Sequence, residues 1–119
     1  MAENRIKELV KAAYRALDEK KARDIRVIDI SGISVIADYF IIATAENARQ
    51  TQALCDNVEE KLGRDGFLCR QTEGKSGANW ILMDYQDVII HIFDEESRRF
   101  YDLERIWRDG KQIGEIDAL

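Results

Sequence analysis

One fourteen-residue run, Trp80 to Phe93 (WILMDYQDVIIHIF), constrains this chain more than any other stretch. Eight of its residues are strongly apolar, and a polar break around Tyr85 to Asp87 divides it into two pieces of strand length. The run also holds the single histidine, one of the two tryptophans and two aspartates. A chain of 119 residues builds one core with little spare length for a second. A single small domain has few places to put so much apolar surface beside so many polar groups, so candidate functional chemistry concentrates here.

The rest of the chain supplies a frame for this ribbon. Ile6, Leu9, Val10, Ala13 and Leu17 form one apolar stripe at helical spacing, which predicts a helix from about Glu3 to Ala22. Ile25, Val27, Ile28 and Ile30 are β-branched and predict a strand that Ser31-Gly32 ends. Asp38 to Thr44 (DYFIIAT) predicts a second strand, apolar enough to be buried on both faces. A second helix is expected from Asn47 to Arg64. Asn47 is its N-cap, Thr51, Leu54, Cys55, Val58 and Leu62 its apolar side, and Gly63 and Gly66 its end. Phe67 to Thr72 predicts a third strand, and the order strand, helix, strand implies a parallel pair joined by a right-handed crossover. Glu73 to Gly77 is a loop, and the Trp80–Phe93 ribbon follows as a hairpin. Asp94 to Asp109 predicts a last helix with Phe100, Leu103, Ile106 and Trp107 on one side. The sum is a single α/β domain over residues 1–110, a mixed five-stranded sheet with about three helices, followed by a loosely held tail at 111–119.

Composition excludes several classes. The chain is 45% hydrophobic and 34% charged, a globular balance, and no apolar stretch approaches the ~20 residues of a membrane helix. Met1 to Val10 lacks the apolar core of a signal peptide, and Glu3 and Glu8 are unlike a transit peptide, so a cytoplasmic chain, or a mature form without its presequence, is expected. The net charge is −5 and no basic stripe is present, which disfavours direct nucleic-acid binding as the main contact. An acidic domain matches a basic protein partner better.

Catalytic and metal readings find little support. Cys55 and Cys69 lie fourteen apart in different elements and read as buried reduced thiols; with one histidine they are too few for a usual zinc site. Asp84, Asp87 and His91 have the right types for a metal site or a general acid–base pair. The plainer reading makes the aspartates turn residues and His91 a satisfied, half-buried histidine. Side chains alternate, so Trp80, Leu82 and Asp84 face one way and Ile81, Met83 and Tyr85 the other. Which face His91 joins depends on the turn. Every Ser-His-Asp or Cys-His arrangement would reuse that one histidine. Gly74-Lys75-Ser76-Gly77 is faintly phosphate-loop-like, but it joins two strands where such a loop needs a following helix. No catalytic residue, metal ligand or cofactor is therefore assigned. Trp80, Tyr85, Phe100, Tyr101, Trp107, Arg98, Arg99 and Arg105 are of the kinds that dominate protein interfaces. Trp80 is expected exposed and Trp107 mostly packed.

Three ordered blocks carry a resemblance: DISGISVIADYFIIATA at Asp29 to Ala45, WILMDYQDVIIHIF at Trp80 to Phe93 and RRFYDLERIW at Arg98 to Trp107. Arg49 to Leu62 and Glu73-Gly74 fit between them. The chain resembles the ribosomal silencing factor family, also called Iojap or DUF143, over Asp29 to Trp107. That resemblance implies an α/β fold with a mixed sheet, nucleotidyltransferase-like in outline. It implies a translational repressor that binds a large-subunit ribosomal protein, the fourteenth in the standard naming, where that subunit meets the small one, and so blocks subunit joining. Organellar relatives assist large-subunit assembly, so an assembly factor stays open as an alternative, as does a nucleotidyltransferase-like enzyme or nucleotide binder. The resemblance implies no cofactor and no catalysis. The free chain is left open between monomer and homodimer.

The family-matching positions expected to dock on the partner are Trp80, Leu82, Asp84, Tyr85, Asp87 and His91, with Trp80 as apolar anchor, the aspartates meeting basic groups, and His91 as scaffold. Tyr101, Glu104 and Trp107 are expected to brace the sheet from behind, and Asp38 and Tyr39 to be structural. Gln86 stands where the family commonly has a turn glycine, and Ala45-Glu46-Asn47 replaces a small-residue and serine segment. The chain also lacks the Gly-Ser signature and paired acidic motif of a nucleotidyltransferase.

Overall fold

The computed structural model describes residues 2–74 and 79–119. The elements run α1 (Glu3–Glu19), β1 (Arg23–Asp29), β2 (Tyr39–Ala45), α2 (Ala48–Arg64), β3 (Gln71–Glu73), β4 (Trp80–Asp84), β5 (Val88–Asp94), α3 (Glu95–Tyr101), α4 (Leu103–Ile106) and β6 (Lys111–Gln112), then a 3₁₀ turn at Ile116–Ala118. The strands form one mixed sheet in the order β3-β4-β5-β2-β1-β6.

α2 follows the sequence expectation closely. The Asn47 side chain accepts the Gln50 N–H at 2.9 Å, satisfying one of the free donors of the first turn. Thr51, Leu54, Cys55, Val58 and Leu62 are all buried. α1 stops three residues before Ala22. The Lys21 N–H returns to the Asp18 carbonyl and the Ala22 N–H to Leu17, with Lys21 itself at φ 63, a left-handed helix stop.

The expected parallel pair between the second and third strands does not form. β2 runs parallel to β5, Tyr39 opposite Val88 through Ala45 opposite Asp94, while β3 pairs antiparallel with β4 at the edge. The reason is apolar content. Every residue of β2 is buried, and β5 is nearly as apolar, so both occupy the centre. Gln71, Thr72 and Glu73 are all exposed and can serve only as an edge. A sixth strand also appears. Lys111 and Gln112 pair with Asp29 and Ile28, and Arg15 meets Asp117 at 2.6 Å, so the expected loose tail is instead tied to β1 and α1.

α1 and α2 cover one face of the sheet, packing on Val27, Ile41, Ile81, Met83, Ile90 and Ile92. The expected last helix is broken at Asp102, which takes φ +45 and ends α3 while starting α4. The break turns Phe100 (79% exposed) and Ile106 (66%) to solvent and leaves Leu103 and Trp107 to pack on Ile28, Ile30, Phe40, Ile42 and Phe93. Arg98 is not a surface residue. It is 7% exposed, donates to the Thr44 hydroxyl at 2.7 Å and meets both Glu104 carboxylate oxygens at 3.2 and 3.0 Å. That fork clamps the broken helix to β2. Asp24 lies 3.4 Å from the same guanidinium, so the buried charge is met from two sides.

Candidate functional site

The hairpin turn decides what the sequence left open. The Tyr85 N–H bonds the Val88 carbonyl at 2.9 Å, closing a two-residue loop of Gln86 and Asp87. Trp80 then lies opposite Phe93, Leu82 opposite His91 and Asp84 opposite Ile89. Directly opposed residues share a sheet face. Trp80, Leu82, Asp84, Ile89, His91 and Phe93 therefore form one surface, continued on β2 by Phe40, Ile42 and Thr44. It is the face that α3 and α4 cover incompletely.

On this face Trp80, Leu82, Asp84 and Ile89 remain half-buried, whereas Phe93 is sealed and His91 is 3% exposed. Trp80 is thus packed more than expected. Its ring centroid sits 4.6 Å from that of Tyr101 and 4.9 Å from that of Phe93, and its indole N–H donates to His91 Nδ1 at 3.1 Å. Phe40 packs edge-on against the imidazole at 4.7 Å and against Trp107 at 5.2 Å. Trp107 is half-buried on this layer. Tyr101, Glu104 and Trp107 do not brace the sheet from behind, because α3 and α4 lie on the same side as Trp80. Gly74, at φ +99, closes the approach to the hairpin: a Cβ there would stand 2.6 Å from the Trp80 carbonyl oxygen.

The remaining predicted docking residues divide. Asp84 accepts the Gln86 N–H at 2.7 Å and lies 3.4 Å from Arg70, so it shapes its own turn while staying half-buried. Tyr85 is 2% exposed on the opposite face, where burial above all drives its hydroxyl well above the ordinary phenol range. A surface contact through the Tyr85 ring is thereby corrected. Asp87 is half-buried, and its carbonyl accepts the Asp38 and Tyr39 N–H groups at 2.7 and 3.2 Å, tying the turn to β2. Burial, then Asp87 and Asp29, raise the Asp38 carboxyl. Tyr39 is buried.

Sequence reasoning missed Ile89, which completes the face, and the exposed Ile33, Val35 and Ile36 of the β1–β2 loop. The signal for the latter was present as three apolar residues in a segment with no strand or helix period.

Chemically the face offers packing and fixed charge. Burial lowers His91 from 6.5 to about 4, so it is neutral at physiological pH, and its Nδ1 is already engaged. Among the described residues, one grouping of potential metal ligands is close-packed: Cys55, Asp56 and Glu59 of α2, on the opposite side of the sheet from Trp80. Both carboxylates there are exposed, and burial pushes the Cys55 thiol up to about 11, which keeps it protonated at neutral pH. Cys69 is half-buried rather than fully buried. Most of the loop from Gly74 to Gly77 lies outside the described residues. No helix among the described residues is long and apolar enough to cross a membrane.

Comparison with known proteins bears on the same elements. Residues 3–119 match the family described as ribosomal silencing factor during starvation. The chain is 37% identical over 103 residues to the ribosomal silencing factor RsfS of Bacillus subtilis, covering 87% of each protein. A crystal structure of a Chromobacterium violaceum protein superposes with a TM-score of 0.81 at 34% identity, covering 84% of this chain and 83% of that one. A mouse protein named mitochondrial assembly of ribosomal large subunit protein 1 is 29% identical over 96 residues, which are 76% of this chain and 41% of that longer one. The match embraces α1, the hairpin, the broken helix and the tail together, and the chain belongs to the ribosomal silencing factor family.

Proposed function

We infer that this chain is a translational repressor of the cytoplasm that docks on the large ribosomal subunit and blocks joining of the small one. Its partner is a basic ribosomal protein at the subunit interface, the fourteenth in the standard naming. The contact is the open half of the sheet: Trp80, Leu82 and Ile89 provide apolar area, and Asp84 and Asp87 give a negative rim. The observation that carries this reading is the incomplete cover of that face in a family named for silencing ribosomes. An aromatic anchor packed on neighbours and rimmed by polar groups is the anatomy of an interface hot spot. The activity is binding, with no bond made or broken and no cofactor needed.

Sedimentation of purified subunits tests it. With the protein present, large and small subunits should remain apart at magnesium levels that otherwise join them. Joined particles forming equally well in its presence would refute the repressor reading.

A role in large-subunit assembly is the second reading, favoured by likeness to the mouse protein named for that process. Depletion separates the two. Accumulated large-subunit precursors would support assembly; mature subunits with excess joining would support silencing.

A further inference from the structure

We propose that His91 is a positioning residue for the docking anchor: its Nδ1 lone pair holds the Trp80 indole N–H and so fixes which part of that ring the partner meets. The inference rests on the docking reading given above and concerns how the same face is prepared for its partner.

The geometry is specific. Trp80 opposes Phe93, and Leu82 opposes His91, so Trp80 and His91 are diagonal neighbours across β4 and β5. Diagonal pairs are out of reach for short side chains and within reach of two aromatic ones. The indole leans along that diagonal, between Tyr101 at 4.6 Å and Phe93 at 4.9 Å, until its N–H reaches Nδ1 at 3.1 Å. A neutral imidazole has one donor and one acceptor nitrogen, so accepting at Nδ1 places the proton on Nε2. Phe40 and Phe93 hold the imidazole plane in turn, at 4.7 and 6.1 Å.

This arrangement costs stability. Nε2 is buried and has no hydrogen-bond partner among the described residues. An apolar side chain at position 91 would avoid that unmet donor. What histidine offers in exchange is the acceptor that Trp80 uses. Trp80 is half-buried at the open half of this face, where a ring without that bond keeps rotamer freedom that binding must remove. The bond also turns the indole's polar atom inward. Trp80 then presents carbon to its partner, and the partner needs an apolar socket there, with no acceptor for the indole.

Two substitutions separate positioning from packing. His91→Phe keeps an aromatic ring and removes the acceptor; His91→Asn places an amide oxygen close to where Nδ1 stood. In the full chain, labelled with nitrogen-15, His91→Phe should move the Trp80 indole resonance towards that of a free indole and speed its hydrogen exchange. Affinity for purified large subunits should fall about tenfold, the loss of one hydrogen bond and a fixed rotamer. His91→Asn should return the indole signal and bring affinity to within about threefold of the original. Should His91→Phe fail to fold, His91→Leu carries the same comparison. An indole resonance unmoved by loss of the acceptor would overturn the proposal. So would a released indole with unchanged affinity, or a folded His91→Asn that rescues neither signal. Trp80→Ala, measured alongside, separates the two levels. Full binding by that variant would remove the docking face itself, while the indole signal would still report whether His91 holds the ring.

Discussion

The two faces of the β4–β5 hairpin are built from alternate residues of the same strands and have opposite fates. Ile81, Met83, Tyr85, Val88, Ile90 and Ile92 are sealed beneath α1 and α2, none more than 2% exposed. Trp80, Leu82, Asp84 and Ile89 stay half-buried, because α3 and α4 seal Phe93 and the β1–β2 side of this face and leave the rest of the hairpin partly open. A third complete layer would have hidden all of them. The broken helix stops short, and apolar surface is left over; in the docking proposal this is where the partner sits. Period-two alternation thus gives one ribbon a sealed side and a partly open one.

If that division is real, substitutions on the two faces must fail differently. The largest effect is expected on the closed face. Met83→Ala removes a side chain with 0% exposure and leaves a cavity between sheet and helices. Unfolding free energy should drop by about 3–4 kcal/mol, read from urea denaturation. Affinity of the remaining folded protein for the large subunit should be unchanged. A comparable loss of affinity would mean the closed face is not merely core.

His91 gives the next effect, through acid. In the unfolded chain it titrates near 6.5 and in the folded one at about 4. As pH falls through 6.5 the unfolded state takes the proton first, so stability is complete above 6.5, declines between 6.5 and 4, and levels below. The shift caps the loss at about 3 kcal/mol. Protonation also turns Nδ1 into a donor and breaks its bond with Trp80. The raised Asp38 opposes this trend, since its protonation on acidification relieves the burial of its charge and then the repulsion from Asp87 and Asp29. The difference between the original chain and His91→Phe, followed from pH 7.5 to 4, isolates the histidine. A flat difference would place His91 in water rather than behind the indole.

On the open face the expectation reverses. Trp80→Ala should cost about 2 kcal/mol of binding, roughly thirtyfold in Kd, and less than that in stability. Stability falling more than affinity would make Trp80 a core residue and collapse the contrast between the faces.

How much of this was legible depended on how local each signal was. α2 could be read to its cap, because Asn47 and the Thr51–Leu62 stripe act within one segment. The partner of β2 could not, because it lies beyond α2, β3 and β4 in the chain; only the polarity of Gln71 to Glu73 hinted that β3 belonged at the edge. The break at Asp102 was hidden by apolar spacing that continues across it, and aspartate is one of the few residues that enters a left-handed conformation at modest cost. Trp80 looked exposed because the ring that covers it, Tyr101, arrives from a different element. The residues expected to dock all lie on one ribbon of the sequence, but their division between faces needed the loop length. Two residues at Gln86-Asp87 put His91 with Trp80, and strand alternation sent Tyr85 to the other side.

The smallest expected effect tests the turn that sets this division. Gln86 adopts φ 75, at the first central position of the two-residue loop, where a residue with a Cβ is strained and glycine is favoured. Its N–H bond to Asp84 comes from the backbone and survives any substitution except proline. Gln86→Gly relieves about 1–2 kcal/mol of left-handed strain and adds about 0.5–1 kcal/mol of unfolded-chain entropy. The net gain should be up to about 1 kcal/mol, seen as a higher urea midpoint at constant slope. Affinity for the large subunit separates two roles for the turn. If Gln86 only shapes the hairpin, the glycine variant binds as well as the original and the contact remains with Trp80, Leu82 and Ile89. A fall in affinity together with a gain in stability would extend the open face around the tip of the hairpin, with the glutamine side chain touching the partner and the strain at Gln86 retained for that contact.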